Sequence, residues 1–161
     1  MATQKEKERV KKEFLSLWAY GHPNWAYLAG LIDGEGTITV VKEVKGTARP
    51  TLVIVNTNKE VLQWVKDNLN QGNLYNKGHE KEGWKDRWAW SSRGKHIKPI
   101  LENILPFLKI KHQQAKLVLE FIELRDFYAY KIKGFAPEEL EIVRQIYNLN
   151  KGRRNVEWLK L

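Results

Sequence analysis

Two carboxylates, Asp33 and Glu35, stand one residue apart among glycines in the segment Leu28-Ala29-Gly30-Leu31-Ile32-Asp33-Gly34-Glu35-Gly36. The largely uncharged run before them predicts a short helix from Trp25 to Asp33, capped by Asn24, which puts both acids at its C-terminus. Unpaired carbonyls already make that end partly negative, so a carboxylate there is disfavoured by about 0.3–1 kcal/mol. A cation reverses the sign. Carboxylate and carbonyl oxygens converging on one point are hard ligands suited to Mg²⁺, which takes one or two protein carboxylates and fills its other positions with water and phosphate oxygens. Taken alone, Gly34-Glu35-Gly36 also reads as a helix cap and turn with a solvated acid.

The same helix repeats Ala26, Gly30 and Gly34 at every fourth residue, leaving one face almost bare backbone. Each interior glycine costs about 1 kcal/mol relative to alanine. Such a face suits close helix–helix contact, and the scarcity of charge predicts that this helix is buried. The four histidines, His22, His79, His96 and His112, lack metal-ligand spacing and read as surface or loop residues.

Composition narrows the function classes. The chain has 161 residues, 42% hydrophobic, enough for one domain with a real core. No apolar run approaches the roughly 18 residues of a membrane span, and the charged start lacks a signal-peptide core, so the expectation is an intracellular protein without a membrane partner. Absence of cysteine excludes disulfides, thiolate zinc sites and a cysteine nucleophile. Lys+Arg 28 against Asp+Glu 19 gives a net charge of +9, which fits a polyanionic partner without choosing among DNA, RNA and acidic lipid.

Several elements must position the acids. Val10, Phe14, Leu17 and Trp18 mark an amphipathic N-terminal helix over 4–20. After Gly36 the period changes to two, through Thr37 to Val44 and Arg49 to Asn56, which is a β-hairpin. Thr57-Asn58-Lys59-Glu60 has capping-box spacing before a helix carrying Val61, Val65 and Leu69 on one face. A second hairpin follows, roughly Asn73 to Lys77 and Lys85 to Ser91. Then come a short helix with Pro99 in its first turn, a longer one from about Gln113 to Arg125, and a last one from Pro137 with a stripe of Leu140, Val143, Ile146 and Tyr147. The expectation is a single α+β domain over 1–161, with a core over about 24–125 in the order α-β-β-α-β-β-α and a C-terminal extension over 126–161.

Leu28 to Gly36 resembles the LAGLIDADG motif of homing endonucleases, departing from it only at Gly34 and Glu35. The order of elements also matches that family. The resemblance implies a site-specific double-stranded DNA endonuclease using Mg²⁺ or another divalent cation such as Mn²⁺. With one motif rather than two, it implies a homodimer on a long pseudo-palindromic site, of the kind encoded in a mobile intron, in the cytoplasm of a prokaryote or an organelle of a eukaryote. By similarity Glu35 and the Gly34 carbonyl are metal ligands, while Ala26, Ala29, Gly30 and Asp33 form the dimer interface. Asn58 aligns with a polar residue that orders the attacking water. Pro106-Phe107-Leu108-Lys109-Ile110-Lys111 matches a segment whose final lysine stabilises charge on the phosphate, pointing to Lys111. An arginine found in some relatives aligns with Leu62 instead.

An antiparallel ribbon fits the major groove of DNA, so the implied contacts lie on the solvent face of the strands: Thr39, Glu43 and Lys45 from the first, Arg49 and Thr51 from the second. Tyr75, Lys77, Lys85 and Arg87 come from the second hairpin if Trp88 and Trp90 point inward; a one-residue slip inverts that set. An intron-RNA-binding maturase and a catalytically inactive DNA-binding module of the same fold remain as alternatives, with intron RNA the partner of the first.

Overall fold

The structure, a computed structural model, describes residues 3–6, 8–9, 23–43, 47–129 and 131–150. Most of the expected N-terminal helix over 4–20, together with Val44 and Lys45, lies outside them. Helix α1 spans Pro23–Glu35 and leads directly into strand β1, Gly36–Lys42. Strand β2 (Ala48–Asn56), helix α2 (Lys59–Leu69), strands β3 (Asn73–Gly78) and β4 (Arg87–Arg93) follow, then helices α3 (Lys98–Ile104), α4 (His112–Tyr128) and α5 (Pro137–Leu149). Short 3₁₀ turns precede and follow α3. The mixed α+β order agrees with the sequence reading.

The four strands form one antiparallel sheet in the order β1-β2-β4-β3. Alternation sends Ile38 and Val40 of β1, Leu52 and Ile54 of β2 and Trp90 of β4 into a fully buried core with the helices. From α1 the core receives Trp25, Leu28, Ala29 and Ile32, an i, i+3, i+4, i+7 stripe. The expected burial of this helix holds on that side only, since Ala26, Tyr27, Gly30 and Gly34 are exposed.

Local chemistry explains several boundaries. Helix α2 is capped by Asn58, whose side-chain oxygen accepts from the Val61 N–H at 3.1 Å, one residue later than the Thr57 capping box implies. The turn after α2 demands glycine at Gly72, where φ is +85° and a Cβ would lie 2.5 Å from the Trp90 indole nitrogen. Strand β4 begins at Arg87, so Lys85 belongs to the connecting loop rather than to the strand. That loop is tied by Asp86, which accepts from the Asn76 amide at 2.9 Å and meets the His79 ring at 2.9 Å, and by an Arg87–Glu80 ion pair.

Helix α5 and the residue after it cover part of the β1 edge of the sheet. Strand β1 is an edge strand, and its outward carbonyls at Val40 and Ile38 accept from the Tyr147 hydroxyl and the Asn150 amide, each at 2.9 Å. Exposed strand edges invite pairing with other chains, and these two bonds close part of this one. Burial on α5 falls on Glu139, Ile142, Val143, Ile146 and Tyr147, with Leu140 only half-buried. Burial pushes the Glu139 carboxyl up, against a 2.7 Å bond from the Ala136 N–H and the Arg125 guanidinium 3.1 Å away. Through Arg125 these contacts tie the start of α5 to α4.

Candidate active site

The acids at the end of α1 have separate tasks. The Asp33 carboxylate accepts from the backbone N–H groups of Lys109 at 2.7 Å and Lys111 at 2.9 Å, fastening the Leu108–Lys111 turn that opens α4. The Lys111 ammonium in turn donates to the Asp33 carbonyl, placing a positive charge on the negative end of α1. The unfavourable position of Asp33 on its own helix is thus offset by donors from another element, without a metal. Glu35 is exposed at the last helical position and has no such clamp described. It is the acid left facing solvent beside the Gly34 carbonyl.

Partial burial alone would raise the Asp33 carboxyl, but the N–H groups of Lys109, Lys111 and Ile110 and the Lys111 charge together hold it below the usual carboxylate range. A depressed folded pKa contributes stability above the unfolded value, about 3.9, and that stability is lost as pH falls through the folded value. Asp33→Asn keeps one acceptor and puts an NH₂ against the second N–H, so it should cost about 1.5–3 kcal/mol at neutral pH. It should also flatten the loss of stability below about pH 4. Urea midpoints measured from pH 3 to 7 check both; parallel wild-type and variant curves would remove the clamp from the energetics.

Asn58 lies beyond the end of β2, on the side of the sheet where α1 enters β1, with its side-chain oxygen occupied by the helix cap. Leu62 is wholly buried in the core. Among the described residues no group of three or more His, Cys, Asp or Glu gathers as a metal cluster. One exposed carboxylate with a neighbouring carbonyl is nevertheless a donor set that suits Mg²⁺, which takes few protein ligands and keeps the rest for water and phosphate.

Of the expected interface residues, Ala26 and Gly30 lie on the exposed face of α1. A Cβ added at Gly30 or Gly34 meets nothing within 4 Å. Ala29 is different: it has no exposed surface and packs within its own protomer, one position round the helix toward Trp25 and Ile32, so it cannot form part of an open contact face. Asp33 is half-buried by its bonds to the α4 turn.

On the sheet, Thr39, Arg49 and Tyr75 lie opposite the core face, and Arg49 is paired with Glu43 at 2.8 Å. Lys77 sits at an irregularity in the β3–β4 register and Lys85 in the loop; both are exposed. Arg87 is half-buried against Glu80. Thr51 corrects the sequence reading. It has outward parity but only 2% exposure, because it occupies a central strand between Thr39 and Arg93 and turns its hydroxyl to the Arg49 carbonyl at 3.1 Å. Sequence reasoning missed Arg93, exposed at the end of β4; carrying the alternation two residues past Ser91 finds it. Arg49 and Arg93 both border a groove of about 560 Å³ that also reaches Tyr75 and His96.

The profile of the LAGLIDADG-like domain matches residues 23–130. No curated protein matches the sequence. Among solved structures, the homing endonuclease I-CvuI, crystallised with the I-CreI target in the presence of Mg, aligns with TM-score 0.67 at 22% identity, covering 85% of this chain and 90% of that one. The archaeal intron-encoded homing endonuclease I-Vdi141I, complexed with DNA, gives 0.66 at 20% identity over 85% and 92% of the two chains. The group I intron-encoded I-CeuI, also complexed with DNA, gives 0.61 at 15% identity over 94% and 86%. The matched span takes in the motif of α1 and the whole sheet beside it: this chain belongs to the LAGLIDADG family.

Proposed function

We propose that the protein is a site-specific double-stranded DNA endonuclease that hydrolyses phosphodiester bonds as a homodimer on a long pseudo-palindromic site, and that it derives from a mobile intron. The observation that carries this reading is the end of α1, where an exposed carboxylate and an anchored lysine flank a backbone carbonyl beside a glycine face open to a second protomer. The relatives solved on DNA, with Mg or Ca in two crystals of I-CvuI, support the same substrate and a divalent cation.

Glu35 and the Gly34 carbonyl would hold Mg²⁺ or Mn²⁺, which when bound supplies charge stabilisation to the reacting phosphate. Lys111, held by its bond to the Asp33 carbonyl, presents a positive charge to the phosphoryl oxygens as negative charge develops there. Asn58 offers its amide on the flank where water approaches. The outer face of the sheet lies along the major groove, with Thr39, Glu43, Arg49, Tyr75, Lys77, Arg87 and Arg93, and Lys85 from the β3–β4 loop, available to bases and phosphates; Lys45 is proposed as a further contact. Two protomers meeting through Ala26, Gly30 and Gly34 bring two such sites to two strands.

Selection of cleaved molecules from a randomised duplex library with Mg²⁺ tests the reading. The expected product is a long, roughly palindromic consensus broken on both strands. Enrichment without cleavage would favour the inactive binding module, and no enrichment would reject DNA as the substrate.

A further inference from the structure

The sheet register divides the outer face into rows running across the strands. Beside the acidic end of α1 lie Val55 and Ala89, and the next row holds Thr37, Val53 and Ser91. Strand β3 adds Tyr75 and Asn73 at the edge of these rows. Farther from α1 the third row ends in Arg93 and the fourth in Arg49. Val53 and Val55 are half-buried on this face, and Ala89, though covered, lies outside the main core cluster. Strand β2 thus presents Val53 and Val55 over the rows nearest the acid, flanked by the buried Ala89 and Ser91 of β4, and guanidinium groups stand beyond them.

Apolar side chains have one favourable partner among base edges in the major groove, the C5 methyl of thymine, whereas guanidinium groups match the O6 and N7 acceptors of guanine. Every base pair set against valine loses hydrogen bonds to water, and only A·T offers a methyl contact in exchange. We infer that the part of each half-site nearest the cleavage point is read as A·T pairs through thymine methyls packed on Val53 and Val55, and that guanine is read farther out by Arg93 and Arg49. Asn73, an amide able to pair with adenine, agrees with the inner assignment.

This inference rests on the nuclease reading but fails separately from it. In a duplex obtained by the selection above, inner thymines are replaced one at a time by deoxyuridine, which removes only the methyl. Each contacted methyl should cost about fourfold in Kd, with no change at thymines outside the inner segment. The double substitution V53A/V55A should bring that penalty close to unity while far-UV circular dichroism stays unchanged. Inner positions poor in A·T pairs, an indifferent response to deoxyuridine, or a full penalty retained by the double variant would each overturn the inference and leave the nuclease standing. Failure to enrich any duplex would overturn both.

Discussion

Glu35→Gln should lower DNA cleavage roughly 10²–10³-fold, the scale on which losing a charge-stabilising group slows a reaction, while DNA binding persists or tightens. The substitution keeps size and hydrogen-bonding shape but removes the negative charge beside Gly34, and an amide is a poor ligand for Mg²⁺. Binding is spared because Glu35 is exposed and makes no described contact that holds the fold, and because one acid fewer faces each phosphate. Stability in metal-free buffer should rise slightly, since a carboxylate has left the negative end of α1. A cleavage time course with Mg²⁺ beside a gel-shift titration in EDTA reads both effects. Near-normal cleavage would displace Glu35 from the active site, and joint loss of binding and cleavage would make it a structural residue.

Gly30→Leu should abolish dimerisation and leave the protomer folded. Its Cβ meets nothing within 4 Å in the protomer, so the side chain finds room, and replacing an interior helical glycine removes a penalty of about 1 kcal/mol. The same side chain projects into the plane where two bare backbones would have to touch. Sedimentation at micromolar concentration should show a monomer whose circular dichroism matches the wild type, and cleavage should fall with the loss of half of the DNA contacts. A persistent dimer would place the interface elsewhere, whereas an unfolded variant would contradict the open space around Gly30.

Much of the fold was legible because local rules act over short spans. The change from a 3.6-residue period to a two-residue period at Gly36 located the join of α1 and β1. The two hairpins, the helix after Asn58 and the helix begun by Pro137 were likewise marked by alternation, caps and proline. Motif similarity then singled out Glu35, Gly34 and Lys111, residues whose spacing alone would have left a solvated acid and a surface lysine.

What the chain does with each side chain was decided by contacts distant in sequence. Two carboxylates at one helix end look alike locally, but Asp33 meets N–H groups 76 and 78 residues away and only Glu35 is left outward. Parity correctly puts Thr51 on the outer face, yet its burial depends on which strands flank β2, and a non-sequential order β1-β2-β4-β3 cannot be read from alternation. Ala29 and Gly30 are neighbours in a motif of small residues, and the 100° between them on the helix turns one into the core and the other to the surface. The covering of the β1 edge by Tyr147 and Asn150 joins residues 107 and 112 positions apart. Periodicity and motif are properties of neighbouring residues and were written in the sequence; burial, pairing and exposure depend on which elements meet, and only the folded chain assigns them.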